Sequence, residues 1–153
     1  MDRFIDELNT LDTGNHIVNS VLNQKVRYAK SKDISLIPIF NNLGQLKLEK
    51  DDIVVILSNL LDNAIEACDK LMKSKKEIKI NIEDDGKYTM ITIKNPVEEK
   101  LNHKDGRLRT SKADKLSHGI GLSNVENIVK KYNGECMYST KDDCFTYTIH
   151  VEY

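Results

Sequence analysis

The run from Ile53 to Met72 holds no glycine or proline and repeats its apolar residues at helical spacing, which commits the middle of the chain to one long amphipathic helix. Asp51 and Asp52 stand just before it, where an N-cap and a first-turn acid belong. At 100° per residue, Asn59, Asn63, Glu66 and Lys70 fall within about 60° of one another. They form a single polar stripe. Leu57, Leu60, Leu61, Ala64, Cys68 and Leu71 fill the other side, so the helix packs on a sheet while aiming two carboxamides and a carboxylate elsewhere. Lysine or glutamate would serve a solvated face at less cost to the helix than asparagine. Two asparagines at i and i+4 therefore suggest neutral oxygen ligands, able to take a position on an octahedral magnesium otherwise held by phosphates and water. The spacing alone also accommodates an ordinary wet face, or asparagines that fix helix packing.

The remaining pattern arranges itself around this helix. Asn15 to about Lys32 is a second helix, with Ile17, Val18, Val21, Leu22, Val26 and Ala29 at helical spacing. Ile34 to Phe40 is a strand, and Pro38, which lacks a donor, places it at a sheet edge. Glu77 to Glu83 and Tyr88 to Lys94 read as strands joined through Asp84-Asp85-Gly86-Lys87. Residues 95–118 form a long polar loop, of the length that is functional in a compact domain. Gly119 to Tyr132 is a helix stopped by Asn133-Gly134, and strands follow at about 135–140 and 145–152, turning at Asp142-Asp143. The order predicts one mixed, mostly antiparallel sheet with helices on one face, an α/β two-layer sandwich.

The segment His118-Gly119-Ile120-Gly121-Leu122 opens the third helix. Glycines there let the backbone come close to a ligand, and the first-turn N–H groups and the helix dipole favour phosphate. A plain turn before a helix has the same look. No GK[ST] follows, so the segment is not a Walker A loop, and the third glycine of a Rossmann fingerprint is missing.

With 153 residues the chain suits one core. A net charge of -1 removes the attraction expected of a nucleic-acid or membrane-surface binder. The three cysteines, Cys68, Cys136 and Cys144, contain no CxxC pair, which speaks against a disulfide framework or zinc ribbon and fits a reducing, cytoplasmic setting. No apolar stretch is long enough to span a bilayer, so any membrane anchor is expected in parent-protein segments outside this chain.

Taken together, Asn59-Leu-Leu-Asp-Asn63-Ala and Gly119-Ile-Gly121-Leu122 resemble the N-box and G2-box of the GHKL superfamily of ATP-binding (Bergerat-fold) domains. Thr13-Gly-Asn, Asn23-Gln-Lys25, DNAIEA at 62–67, Thr110-Ser-Lys112 and His118-Gly119 are in the style of the peptide-pheromone receptor histidine kinases of the AgrC type. The resemblance implies that Asn63 ligates magnesium, that Asn59 lies near the phosphates or the attacking group, that Gly119, Ile120, Gly121 and Leu122 wrap the phosphates of ATP, and that Lys112 and His118 belong to the lid region. It further implies a catalytic domain over 13–153, with 1–12 the end of a dimerisation helix or linker. Two departures stand out. The adenine-binding aspartate of the DxGxG box is replaced by Asn95 in Lys94-Asn95-Pro96-Val97, without the glycines, and Glu66 stands where many histidine kinases carry a phosphate-touching lysine. The missing cation is expected from Lys112, Arg107 or Arg109, and Asn59, Glu66 and Lys112 are the catalytic candidates.

None of His16, His103, His118 and His150 has the context of a phosphorylated histidine. The reading is therefore an enzyme half that passes the γ-phosphoryl group of ATP to a histidine on a dimerisation domain absent from this chain, for relay to a response regulator, the parent acting as a homodimer. A GHKL serine kinase of the anti-sigma-factor type and a docking module with a degraded nucleotide site remain as alternatives.

Overall fold

In the computed structural model, residues 11–98 and 121–153 are described. Helix α1 (His16–Ser31) leads through strand β1 (Ser35–Phe40) to the long helix α2 (Lys50–Asp69). The hairpin β2 (Glu77–Asp84) and β3 (Tyr88–Pro96) follows, and after helix α3 over 121–131 come β4 (Glu135–Lys141) and β5 (Cys144–Glu152). The sheet runs β1-β2-β3-β5-β4. Only β1 against β2 is parallel; the other pairs are antiparallel. This is the two-layer α/β sandwich expected from the sequence, and Pro38 does sit on an edge strand.

Alternation divides the sheet into two faces. Ile78, Ile80, Ile82, Ile91, Ile93, Tyr147, Ile149 and Val151 are buried against the helices, while Met90 and His150 pair on the opposite face, where His150 lies against the Tyr88 ring. From α2 the core receives Ile53, Ile56, Leu57, Leu60, Leu61, Ala64, Ile65 and Cys68, each large aliphatic side chain stabilising the fold by about 1.5–3 kcal/mol relative to exposure. Burial pushes the Cys68 thiol up to about 11, so it is a packing residue with little thiolate character.

Helices α1 and α2 run parallel, because Lys25 pairs with Asp62 at 2.7 Å and Lys32 with Asp69 at 3.3 Å, a step of seven residues on each helix. Helix α1 is capped by Asn15, whose side chain accepts the N–H groups of Ile17 and Val18. Thr13 donates to the Asn19 side chain through both its N–H and its hydroxyl, and its carbonyl accepts from the Leu43 N–H. The Thr-Gly-Asn segment thus ties the start of α1 to the loop after β1, at the pole of the sandwich that also holds the β2–β3 turn.

Several element ends differ in detail from the sequence reading. The N-cap position of α2 is Glu49, without a side-chain cap bond, and Asp51 and Asp52 both lie in the first turn. Asp52 is buried and turned toward α3 rather than serving as a cap. The helix ends at Asp69 instead of Met72. After α3 it is Asn133, with φ of 58°, that takes the left-handed position, while the N–H groups of Asn133 and Gly134 bond back to Lys130 and Val129. Asp33 ends α1 in the same manner. The β4–β5 turn has positive φ at both Asp142 and Asp143, the backbone of a type I′ hairpin.

Candidate nucleotide site

Two contacts fix α3 antiparallel to α2. At one end Asp52 accepts from the Tyr132 hydroxyl and pairs with Lys131 at 2.6 Å. At the other, a Cβ on Gly121 would lie 3.1 Å from Asn59 Oδ1, so the absence of a side chain at 121 lets the first described turn of α3 rest on Asn59. The Asn59 amide nitrogen donates back to the Val55 carbonyl at 2.8 Å, which holds the carboxamide with its oxygen toward Gly121. Leu122, Val125 and Val129 carry the apolar side of α3 into the core. The two sequence motifs, some sixty residues apart, therefore meet.

Asn63 follows one turn after Asn59 on the same stripe of α2. Its Nδ2 is buried and has no hydrogen-bond partner among the described residues. A buried polar group left unmade costs about 1–3 kcal/mol, and a carboxamide can present either its nitrogen or its oxygen by turning over. Such a group suits a ligand that takes up its remaining valence. Glu66 continues the stripe as an exposed carboxylate and engages in an interaction of its own.

The floor at this pole is made by the ends of β3 and β5. Asn95 is 4% exposed, on the helix-facing side with Ile91 and Ile93. Its Nδ2 donates to the Pro96 carbonyl at 3.1 Å, leaving the carboxamide oxygen as an acceptor. Phe145 stands opposite it in register, on the same face as Tyr147. A flat ring beside a carboxamide is suited to a heteroaromatic base. Phe145 escaped the sequence reading because only the strand register pairs it with Asn95.

Lys112, His118, Gly119 and Ile120 lie outside the described residues, as do Arg107 and Arg109; of the expected set, Asn59, Asn63 and Glu66 lie on α2, Asn95 on β3, and Gly121 and Leu122 on α3, with Asn59 and Gly121 in contact. Among the described residues no cluster of three or more His, Cys, Asp or Glu side chains is arranged to hold a metal ion.

Glu98 is a further residue that the sequence did not single out. Its carboxylate accepts the backbone N–H groups of Met72, Lys73 and Ser74 at 2.9, 2.9 and 2.6 Å, linking the chain after β3 to the loop after α2. These bonds hold its pKa down at about 2, from 4.5. Because the folded value is depressed, the contribution is complete above pH 4.5, fades as pH falls toward 2 and is gone below it. Glu98→Gln is expected to flatten the acid limb of the stability curve in that window, measured by thermal melts against pH. An unchanged acid limb would show that the three N–H bonds do not persist in solution.

A model of the GHKL domain family matches residues 48–152 of the chain. The chain belongs to the GHKL family. Among curated proteins, this GHKL chain is 33% identical over 102 residues to the sensor protein DltS of Streptococcus agalactiae serotype III (strain NEM316), an alignment covering 61% of the chain and 25% of DltS. It thus spans about a quarter of that relative's length. Among solved structures, the catalytic domain of histidine kinase ThkA in a nucleotide-free form superimposes with a TM-score of 0.64 at 18% identity, over 90% of this chain and 92% of that one. The Acinetobacter baumannii histidine kinase AdeS gives 0.52 at 17% identity, over 87% and 63%. Its GHKL fold is therefore that of histidine kinase catalytic domains. No helix among the described residues is long and apolar enough to cross a membrane.

Proposed function

We propose that this GHKL chain is the ATP-binding catalytic domain of a two-component sensor histidine kinase, spanning residues 13–153, with 1–12 belonging to a dimerisation helix or linker. The observation that carries the reading is the buried, unpartnered Asn63 Nδ2, one turn along α2 from the Asn59 side chain that packs on Gly121. The partners would be a dimerisation domain bearing the acceptor histidine, in a homodimeric parent protein, and the receiver domain of a response regulator.

In this reading Asn95 accepts from the exocyclic amine of adenine while Phe145 lies along the base. Guanine, which has a carbonyl at that position, is left with two facing acceptors. Asn63 fits magnesium through its carboxamide oxygen, and the ion supplies charge neutralisation along the phosphates when bound. Asn59 cannot accept a proton, so its contribution is to seat the start of α3 and orient the reacting end. Glu66, on the same stripe, accepts the N–H of the incoming imidazole. Phosphoryl transfer needs alignment and electrostatic stabilisation more than covalent help, which a set of amides and backbone N–H groups supplies.

Calorimetric titration with magnesium and ATP tests the nucleotide reading directly. Binding of ATP in preference to GTP is expected, with Asn95→Ala weakening ATP by about tenfold, the worth of one hydrogen bond. No binding at millimolar nucleotide would leave a docking module in its place. With γ-labelled ATP, the chain alone is expected to show no acid-labile self-labelling, and label should appear on a histidine only when a dimerisation domain is added. Labelling of serine on an added protein would transfer the assignment to a serine kinase.

A further inference from the structure

Among the described residues, the hydrogen-bonded ties of α3 to α2 lie at the end away from the proposed phosphates. Asp52, 7% exposed, receives the Tyr132 hydroxyl and the Lys131 ammonium, and the Tyr132 oxygen in turn accepts the Glu49 N–H at 3.0 Å. Burial alone would raise the Asp52 pKa, yet the bonds from Lys131 and Tyr132 bring it below its ordinary value. The carboxylate therefore remains charged in a site that would otherwise neutralise it. Four groups from two helices converge on the first turn of α2, and the turn after α3 closes on the Val129 and Lys130 carbonyls. At the Gly121 end the described contact is the close approach to Asn59.

We propose that Asp52 and Tyr132 are positioning residues for the proposed phosphate-binding end of α3, setting from the far end of the helix how closely Gly121 approaches Asn59. This rests on the nucleotide reading above. A helix is stiff over three turns, so a contact that fixes the height and direction of one end fixes the other. The core side chains Val125 and Val129 are buried without any directional bond, whereas a hydrogen-bonded carboxylate has a preferred geometry. In this arrangement Lys131, half exposed, serves mainly to keep Asp52 charged.

The test is calorimetric titration of the whole chain and its variants with magnesium-ADP and, separately, with adenosine. Adenosine reports the base pocket at Asn95 and Phe145, and ADP adds the phosphates. Tyr132→Phe keeps the ring and removes the hydroxyl. It is expected to weaken magnesium-ADP by about five- to tenfold, the effect of one lost hydrogen bond, while adenosine binds as before. Asp52→Asn should do the same, and the double variant should be no worse than the worse single one. Hydrogen exchange is expected to quicken at 121–125 in both, which gives a readout even where a variant is less stable overall. Unchanged ADP affinity in folded Tyr132→Phe would overturn the proposal, and so would parallel weakening of ADP and adenosine, which marks a purely structural role. Failure of the parent chain to bind ADP would instead remove the nucleotide reading on which it stands.

Discussion

Replacing Asn63 with alanine is expected to lower magnesium-dependent nucleotide affinity by about 100-fold or more, at unchanged or slightly higher thermal stability. The scale follows from metal sites in general, where loss of a group behind the ligands costs 10–100-fold, and Asn63 is proposed as a ligand itself. The stability half of the expectation has a separate cause. Asn63 lies inside α2, where alanine is the better helix former, and its buried Nδ2 has no partner to lose. Affinity and stability should therefore move independently. Titration with magnesium-ATP, repeated in chelator, measures the first, and a thermal melt the second. Equal affinity in variant and parent would remove Asn63 from the metal site, and a large drop in melting temperature would mark it as a packing residue.

The second large effect is expected at Gly134, and it is one of stability. A Cβ there would stand 2.6 Å from the His150 carbonyl oxygen, 2.8 Å from Val151 Cγ2 and 2.9 Å from Val129 Cγ1. None of the three can withdraw easily, since the first is the backbone of β5 and the valines are fully buried. Gly134→Ala should cost about 1–3 kcal/mol or more, the range of overpacking in a closed core. Gly86 is a useful contrast. It has open space around its Cβ position but φ of 88°, so alanine there meets only the backbone penalty of about 1 kcal/mol. Urea denaturation of the two variants side by side checks the order. Equal midpoints would mean that β5 gives way at Gly134.

Much of the fold was legible because its signals are local. The periodicity of 15–32 and 53–72 needs only neighbouring residues, as does the Asp-Gly turn at 85–86, and Pro38 betrays its edge strand through a missing N–H. The polar stripe of α2 was legible as a stripe. That Asn59 packs on Gly121 was not legible from the helix alone, since the two lie about sixty residues apart. Asp52 was read as a helix-start acid for the same reason: its partners Lys131 and Tyr132 lie about eighty residues downstream, and no local rule connects them. Glu98 gave no signal at all, because it binds backbone N–H groups that every sequence possesses. At Asn133-Gly134 the helix stop was legible as a pair, and the structure divides the work between the two residues. Asparagine supplies the left-handed residue there, and glycine supplies room.

The tie between Thr13 and Leu43 places the root of α1 at the pole opposite Asn63 and Asn95. Helix α1 has 16 residues, about 24 Å of stiff rod at 1.5 Å per residue, and it is bound along α2 by the Lys25 and Lys32 ion pairs. Anything joined ahead of Thr13 therefore holds the domain by the far end of a lever. A rotation of about 20° at that joint carries the opposite pole through roughly 8 Å over this length, more than the reach of a hydrogen bond. A small turn at the root thus relocates the far pole relative to whatever holds Thr13, with no atom inside the sandwich changing place.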